Sequence, residues 1–459
     1  MKLSKYNVFV PNYPTADEHL VFNTRSQALV KIDQELKSLL DNLSTVTKEK
    51  AGRYDKDFHS LYQMGIIVKD EADDEERFLR FIDQRKYGID HSLFLASILT
   101  TYNCNFACTY CFEESTRTSS QKLDKPTADL IMEWLKKKVK RLQIQNLIIN
   151  YYGGEPLLNE PIMEYISTCM QSWCREMGVG FKVYIQTNGF LLTPEFIEKH
   201  KKLGLTNARI SVDGTKELHD RQRITRGSGA GTFDVVMQNL TYAVDHIKIG
   251  IAAGYDEGNP ECVLNLLDYL EEVDVLRKLD SFIHTPVHPT LGPKGHAENI
   301  VGSECLNNYK TETLLNAGKI LKEAMQKKGF PVKSGLSTSM CPVTRENGGV
   351  TIDTNGLIFK CNSMLGHPEL AVGNVRHDEY NQKQREFMTS EAWKECGSDC
   401  AYAPLCNTGC RLFGFFKTKS FMAKSCEREY MDQFVPNAIK KEYEMRKATQ
   451  QNTAKEALV

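Results

Sequence analysis

Apolar positions recur along this chain with two different periods, and the alternation between them divides the sequence. Tyr6-Asn-Val-Phe-Val10 and His19-Leu-Val-Phe22 are short apolar runs around a turn containing Pro and Asn, and they predict a hairpin. Gln27–Leu43 places Leu29, Ile32, Leu36, Leu39 and Leu40 at helical spacing, which predicts one amphipathic helix. A second helical pattern covers Asp55–Met64, Ile66–Val68 reads as a brief strand, and the acidic run from Lys69 opens a helix that ends by Lys86. From Ser92 to about Lys328 the two periods alternate regularly. Strands are predicted at Leu93–Leu99, Leu147–Tyr151, Val183–Gln186, Ala208–Val212, Ile247–Ala252 and Phe282–His284. Helices are predicted at Pro126–Leu142, Glu160–Met177, Pro194–Leu203, Phe233–His246, Glu261–Val273 and Lys310–Lys327. Six strand–helix units in order call for an α/β fold: a parallel sheet covered by helices and curled by right-handed crossovers, a partial (β/α)6 barrel. Further on, Val350–Asp353 and Leu357–Cys361 flank Asn355-Gly356, a pair favoured in tight hairpins. The tail Val435–Val459, rich in Lys, Glu and Ala, reads as a solvated helix covering the cysteine-rich region before it.

Composition narrows the function classes. Hydrophobic residues make up 41% and charged residues 25%, as in ordinary globular domains, and the net charge is −1. No global field favours nucleic acid or a membrane surface. No apolar run approaches the roughly 18 residues that span a bilayer, and the first ten residues lack the pattern of a signal peptide. The chain is therefore expected to be cytoplasmic. In a reducing compartment its 14 cysteines, many of them clustered, point to metal or cluster binding rather than disulfides.

The densest cluster is Cys104-Asn-Phe-Ala-Cys108-Thr-Tyr-Cys111. A [4Fe–4S] cluster normally takes four thiolates, so three in one loop leave one iron open to another ligand. A structural zinc site, the competing reading, usually closes with four ligands. Barrel-type enzymes carry their chemistry in loops after the C-terminal strand ends, and the motifs fall there in series. The cysteine loop follows the first strand, Gly153-Gly154-Glu155-Pro156 the second, Thr187-Asn188-Gly189 the third and Asp213-Gly214 the fourth. A second set lies in the C-terminal third: Cys341, then Cys361, then Cys396-x3-Cys400-x5-Cys406-x3-Cys410-x15-Cys426.

The triplet and the Gly-Gly-Glu-Pro motif resemble the signature of the radical S-adenosylmethionine (radical SAM) enzymes. The resemblance implies that the amino and carboxylate groups of S-adenosyl-L-methionine occupy the open iron. It also implies that Gly153, Gly154 and Glu155 lie beside the methionine end, that the Tyr110 backbone faces the adenine, and that Asn188 and Ser211 contact the ribose or the carboxylate. The run Ser211-Val-Asp-Gly214, His219-Asp220, Arg223 and Gly231-Thr-Phe233 is similar to one shared by members with C-terminal cluster domains. Read from the residues alone, Asp213, His219 and Asp220 serve equally well as turn and capping residues. The second cysteine set resembles the SPASM module, which implies two auxiliary clusters and a total of three [4Fe–4S] clusters. Cys396, Cys400, Cys406 and Cys426 would hold the outer one; Cys341, Cys361 and Cys410 would hold the inner one, a ligand short. The spacing departs from the family, with three residues rather than two between Cys396 and Cys400 and fifteen rather than about seventeen before Cys426. Cys305 is a further candidate ligand; Cys169 and Cys174 read as apolar core residues, and His284, His288 and His296 as a substrate mouth.

The first ninety residues resemble the winged-helix-like recognition domain of enzymes that modify ribosomally made peptides. The domain plan implied is 1–90 for recognition, 91–330 for the barrel, 331–430 for the SPASM module and 431–459 for a terminal helix. The activity implied is that of an oxidoreductase: hydrogen abstraction from a precursor peptide with a leader, followed by an oxidative crosslink, a Cys thioether foremost. The reductant would be a flavodoxin or ferredoxin. Sulfatase maturases begin almost at the triplet and carry Asp where this chain has Asn362, so formylglycine formation is a secondary reading. Carbon–carbon crosslinking, backbone modification and a non-catalytic iron–sulfur electron carrier are the others.

Overall fold

The computed structural model describes residues 1–43, 54–111, 121–255, 260–286, 311–330, 332–338, 340–377, 380–396, 400–421 and 423–456. They form two compact units, one of Met1–Gly88, Val332–Thr344 and Ser390–Val459, the other of Ile89–Pro331 and Arg345–Thr389.

The first unit contains β1 (Lys2–Leu3), β2 (Asn7–Val10), β3 (Glu18–Asn23), β4 (Leu29–Asp33) and β5 (Ile67–Val68). β2, β3 and β4 form an antiparallel meander, and β1 pairs with β5. Successive strand residues point to opposite faces, and here both faces are covered. Val8, Val10, Leu20 and Phe22 pack against Val435 and Ile439 of the helix Arg428–Glu456. Val21 and Ile32 pack against Leu40, Phe58, Leu61, Ile66 and Ile67.

Two expectations are corrected in this unit. The helix predicted over Gln27–Leu43 is β4 followed by a shorter helix, Gln34–Asp41. Leu29 and Val30 pair with Phe22 and Val21 of β3, and the Asp33 side chain accepts the Leu36 N–H at 2.8 Å, starting the helix there. Cross-strand pairing outweighs the local helical period. The C-terminal helix begins earlier than predicted, at Arg428, and besides covering Ala401, Tyr402 and Leu405 of the cysteine-rich segment it buries Val435 and Ile439 against the sheet.

The second unit is built on a nine-stranded sheet. β6 (Phe94–Thr101), β7 (Asn146–Gly153), β8 (Gly180–Thr187), β9 (Leu205–Ser211), β10 (Lys248–Tyr255) and β11 (Ser281–Pro286) pair in parallel in chain order. All six predicted helices form between or after them: Lys125–Leu142, Glu160–Glu176, Pro194–Lys201, Phe233–Ala243, Glu261–Glu272 and Thr311–Lys327. This is the α/β partial barrel expected. The faces are set by side-chain parity. The Tyr151 hydroxyl meets Met163 O and Ser167 Oγ of a covering helix, while neighbouring Asn150 donates to Ser97 Oγ on the opposite face. The hairpin of β12 (Val350–Ile352) and β13 (Leu357–Phe359), with β14 (Gly373–Asn374), extends this sheet beside β6. This hairpin lies within the segment 331–430 expected to be cysteine-rich, and its Val350–Ile352 pairs in parallel with Ala96–Ile98. No described helix is long and apolar enough to cross a membrane.

Candidate active site

Cys104, Cys108 and Cys111 occupy the loop after β6, each half-buried and none in a disulfide. Two other segments hold the backbone of that loop. Ala107 N donates to Ile224 O at 2.9 Å, Thr109 N to Gln222 O at 3.0 Å and Arg226 N to Asn105 O at 2.7 Å. The Arg226 guanidinium adds bonds to Cys104 O and Phe106 O at 3.3 Å each. From the other side, Gly154 N donates to Thr101 O at 3.0 Å and Glu155 N to Asn103 O at 2.8 Å. A Cβ on Gly154 would lie 2.4 Å from Asn103 O, and one on Gly153 2.4 Å from Thr101 O. These glycines thus let the motif press against the root of the cysteine loop. Phe106, fully buried, anchors the middle of the loop edge-on to Phe190.

Glu155, read as an acceptor for the cofactor's ammonium group, is fully buried with both carboxylate oxygens bonded inside the protein. It accepts from Leu157 N at 3.1 Å, Thr187 Oγ1 at 2.8 Å and Asn188 N at 2.8 Å. Burial pushes its carboxyl up to about 7, against those three bonds, which favour the ionised form. Its position makes it the support of Asn188. The Asn188 amide donates to Asn105 Oδ1 at 2.7 Å and comes within 3.8 Å of Cys104 Sγ, which also receives Phe106 N at 3.3 Å. Ser211 ends β9 in register with Ala252.

The Tyr110 side chain has a partner that the sequence did not suggest. Its hydroxyl donates to Asp213 Oδ2, the oxygen that Arg223 Nε also meets at 2.6 Å, while Gly254 N donates to Asp213 Oδ1 at 2.9 Å. The guanidinium lies 5.5 Å from the Tyr110 ring centre. Burial, with Asp213 adding, holds the phenol well above its ordinary value. Asp213 is therefore the hub of a buried network. Asp220 is a cap: its Oδ1 accepts Thr232 N at 2.7 Å and Phe233 N at 2.8 Å at the start of Phe233–Ala243. His219 packs between them, its Nε2 3.2 Å from Thr232 Oγ1, and burial and then Arg223 lower it to about 4. No local pattern marks Arg226, or Tyr110 as Asp213's partner, because these contacts join residues about a hundred positions apart.

In the first unit, Cys341, Cys396, Cys400, Cys406 and Cys410 are half-buried and Cys426 is exposed, none of them in a disulfide; Cys361, also half-buried, belongs to the second unit. Asn407, Thr408 and Gly409 form a left-handed turn with φ of 49°, 68° and 78°. A Cβ on Gly409 would lie 2.0 Å from Ser425 O, so only glycine admits this approach next to Cys426. Burial, with Glu427 adding, pushes the Cys406 thiol up to about 11. Sequence reasoning missed Arg411. It is 1% exposed, donates to the carbonyls of Thr408 and Ala423, and keeps a buried Nε that has no hydrogen-bond partner among the described residues. Burial lowers its pKa, while Cys341, Cys410, Cys406 and Cys396 act to raise it. A buried cation with an unmatched donor among cysteine side chains suits a group of negative charge such as a cluster with thiolate ligands.

Among the described residues no three His, Cys, Asp or Glu side chains are placed as ligands of a single metal ion. Cys305, His288 and His296 lie outside the described residues. His284 is half-buried on β11, lowered to about 4 by burial and then by Lys322, and its Nδ1 has no hydrogen-bond partner among the described residues. Cys174 and Cys262 are buried and Cys169 is half-buried.

Residues 98–270, which carry the cysteine loop and all three strand-end motifs after it, match the family model described as the radical SAM superfamily. The chain thus carries a radical SAM domain, and it is an enzyme of that type, using S-adenosylmethionine and a [4Fe–4S] cluster. Among curated proteins it is 24% identical over 376 residues to an AdoMet-dependent heme synthase of Oleidesulfovibrio alaskensis, a match covering 74% of this chain and 88% of that protein. It is 23% identical over 333 residues to a cysteine-type anaerobic sulfatase-maturating enzyme of Clostridium perfringens, covering 67% and 86%. Its fold is similar to that of Streptococcus suis SuiB, solved with the precursor peptide SuiA. That superposition has a TM-score of 0.52 at 15% identity and covers 93% of this chain and 99% of the other. The donor chemistry of the site fits its cofactors: three cysteines outside any disulfide on one loop whose backbone other segments hold in place.

Proposed function

We propose that this protein is a radical SAM maturase that installs an oxidative crosslink, foremost a Cys thioether, in a ribosomally made precursor peptide. One observation carries the reading. The fold likeness to SuiB, a protein solved with its precursor peptide, extends over 93% of the chain and so far beyond the radical SAM domain at 98–270. In this reading Cys104, Cys108 and Cys111 hold the radical SAM cluster. S-adenosylmethionine bound there supplies a 5′-deoxyadenosyl radical that can take hydrogen from an unactivated C–H bond. The chain's own residues supply position. Glu155 holds Asn188 against the cysteine loop, and Gly153 and Gly154 fix its root. Tyr110, Asp213 and Arg223 brace the loop's second half from beneath, and Ser211 and Asn188 offer hydrogen bonds to the cofactor. Cys341, Cys361, Cys396, Cys400, Cys406, Cys410 and Cys426 would hold two auxiliary clusters, which would supply an acceptor for the electron lost in a net oxidation. Residues 1–90 bind the leader, and a flavodoxin or ferredoxin supplies the reducing electron.

A second reading has an observation of its own. The match to a heme synthase covers 88% of that protein and favours a tetrapyrrole substrate. Reduced, anaerobically reconstituted enzyme should be given S-adenosylmethionine with a Cys-containing precursor peptide encoded beside it or, separately, with an iron porphyrin. The peptide reading predicts 5′-deoxyadenosine together with a peptide lighter by two hydrogen atoms, and a leaderless peptide left unprocessed. Turnover of the porphyrin alone would transfer the assignment to the second reading.

A further inference from the structure

The end of the barrel unit away from the cysteine loop holds an unusual concentration of positive charge. Helix Lys125–Leu142 runs back from the strand end that bears the loop, and Leu142 O meets the ring of His91, three residues before β6. Over its last two turns the helix carries Lys136, Lys137, Lys138, Lys140 and Arg141. Trp134, Lys137, Lys138, Lys140 and Arg141 line a cavity of ≈ 520 Å³. Lys137, Lys140 and Arg141 are exposed at its rim, while Trp134 and Lys138, 5% and 3% exposed, make its floor.

That floor is electrostatically incomplete. The Lys138 ammonium lies 4.7 Å from the Tyr380 ring centre and 5.8 Å from that of Trp134, and no carboxylate pairs with it among the described residues. A second buried ammonium, Lys360, stands 5.1 Å from the same Tyr380 ring and donates to the carbonyls of Arg345 and Glu346 at 2.8 and 2.9 Å. The Tyr380 hydroxyl is buried with no hydrogen-bond partner among the described residues. Around Lys138 the Arg141 charge opposes ionisation and Glu346 favours it. Two ammonium groups share one aromatic ring, beside an unmatched donor. Buried cations of this kind are costly without a counter-charge.

We propose that the cavity is a binding site for an oligophosphate anion. The terminal phosphate meets the Lys138 ammonium at the floor, and the rest of its charge meets Lys137, Lys140 and Arg141 at the rim. The lining offers hydrogen-bond donors and no carboxylate, which matches a ligand made of acceptor oxygens. Four cations around one cavity suit several negative charges close together better than a single carboxylate does. The source is either a free oligophosphate or the phosphate chain of a nucleotide.

The test is calorimetric titration of the reconstituted full chain with tripolyphosphate, ATP and sulfate at constant ionic strength, with tryptophan fluorescence followed in parallel. Expected is saturable one-site binding of tripolyphosphate, a change in emission that Trp134→Phe removes, and an affinity roughly tenfold weaker or worse in the rim variant Lys137→Gln/Lys140→Gln/Arg141→Gln. That variant should still cleave S-adenosylmethionine, which shows that it is folded. Lys138→Met should weaken binding separately. Equal binding of ATP assigns the site to a nucleotide, and binding of tripolyphosphate alone assigns it to a free oligophosphate. Heat that follows ionic strength only, or affinity unchanged in the rim variant, overturns the proposal. So does a wild type that binds neither phosphate compound but loses a ferredoxin partner when the rim is neutralised, a result that would make the surface a protein dock.

Discussion

Cys104, Cys108 and Cys111 stand on a backbone held by long-range bonds from segments that follow two later strands, at Gly154–Glu155 and at Gln222–Arg226. Cys400, Cys406 and Cys410 stand on a backbone folded chiefly through bonds a few residues apart, such as Cys406 N to Tyr402 O at 2.9 Å and Gly409 N to Cys406 O at 3.0 Å. Their electrostatic settings differ as well. Beside the barrel loop the half-buried Arg223 is neutralised by Asp213 at 2.6 Å. Among the C-terminal cysteines the buried Arg411 donates to backbone carbonyls, with no carboxylate paired to it among the described residues. The barrel can arrange its loop before any metal arrives, because sheet topology supplies the contacts. Among the described residues no carboxylate is paired with the cation of the C-terminal set, so its folding should be coupled to the metal.

The strongest test of this contrast removes one set of ligands. Cys104, Cys108 and Cys111 replaced together by Ala should abolish 5′-deoxyadenosine formation and, on the proposal of three clusters of four irons each, remove about a third of the iron. The barrel's thermal transition should persist. Loss of all iron would show that the two regions are not independent.

Next comes a pH dependence specific to the barrel. Burial raises the Glu155 carboxyl from 4.5 to about 7. Its contribution to stability is therefore fully present below about pH 4.5 and is lost as pH rises through about 7. At about 1.4 kcal/mol per unit the change is on the order of 3 kcal/mol. Glu155→Gln should flatten that part of the profile in anaerobic denaturant titrations; an equal slope in variant and wild type would refute the assignment.

A smaller effect is expected of Gly154→Ala, whose new methyl would sit 2.4 Å from Asn103 O. Destabilisation of about 1–3 kcal/mol is the usual range for overpacking, together with reduced cofactor cleavage and an unchanged auxiliary-cluster spectrum. The smallest is Arg411→Met, which should leave substrate-free cofactor cleavage intact but lower the midpoint potential of a C-terminal cluster. A shift of roughly 60 mV corresponds to a tenfold change in a one-electron equilibrium. An unmoved potential in a redox titration followed by paramagnetic resonance would mean that Arg411 is only a structural brace.

The partial barrel was legible because two periods reinforced each other over six repeats, and because Asp124, Thr193 and similar residues start helices where the pattern begins. The first unit was less so. Leu29, Ile32, Leu36 and Leu40 fit a helix by spacing, yet β3 offered Leu29 and Val30 a pairing edge that no window of sequence contains. Val435 and Ile439 gave the same difficulty, since the sheet they cover lies more than four hundred residues earlier.

By itself the sequence determined the order of strands and helices, the clustering of cysteines and the small polar residues at successive strand ends, because all three are written in local spacing. Tertiary structure decided what those residues do. It turned Glu155 into the support of Asn188, joined Tyr110 to Asp213 and Arg223, moved Val350–Phe359 into the barrel's sheet and buried Arg411 among cysteines. Roles of that kind depend on which distant groups share a low-dielectric site, and local spacing carries no record of it.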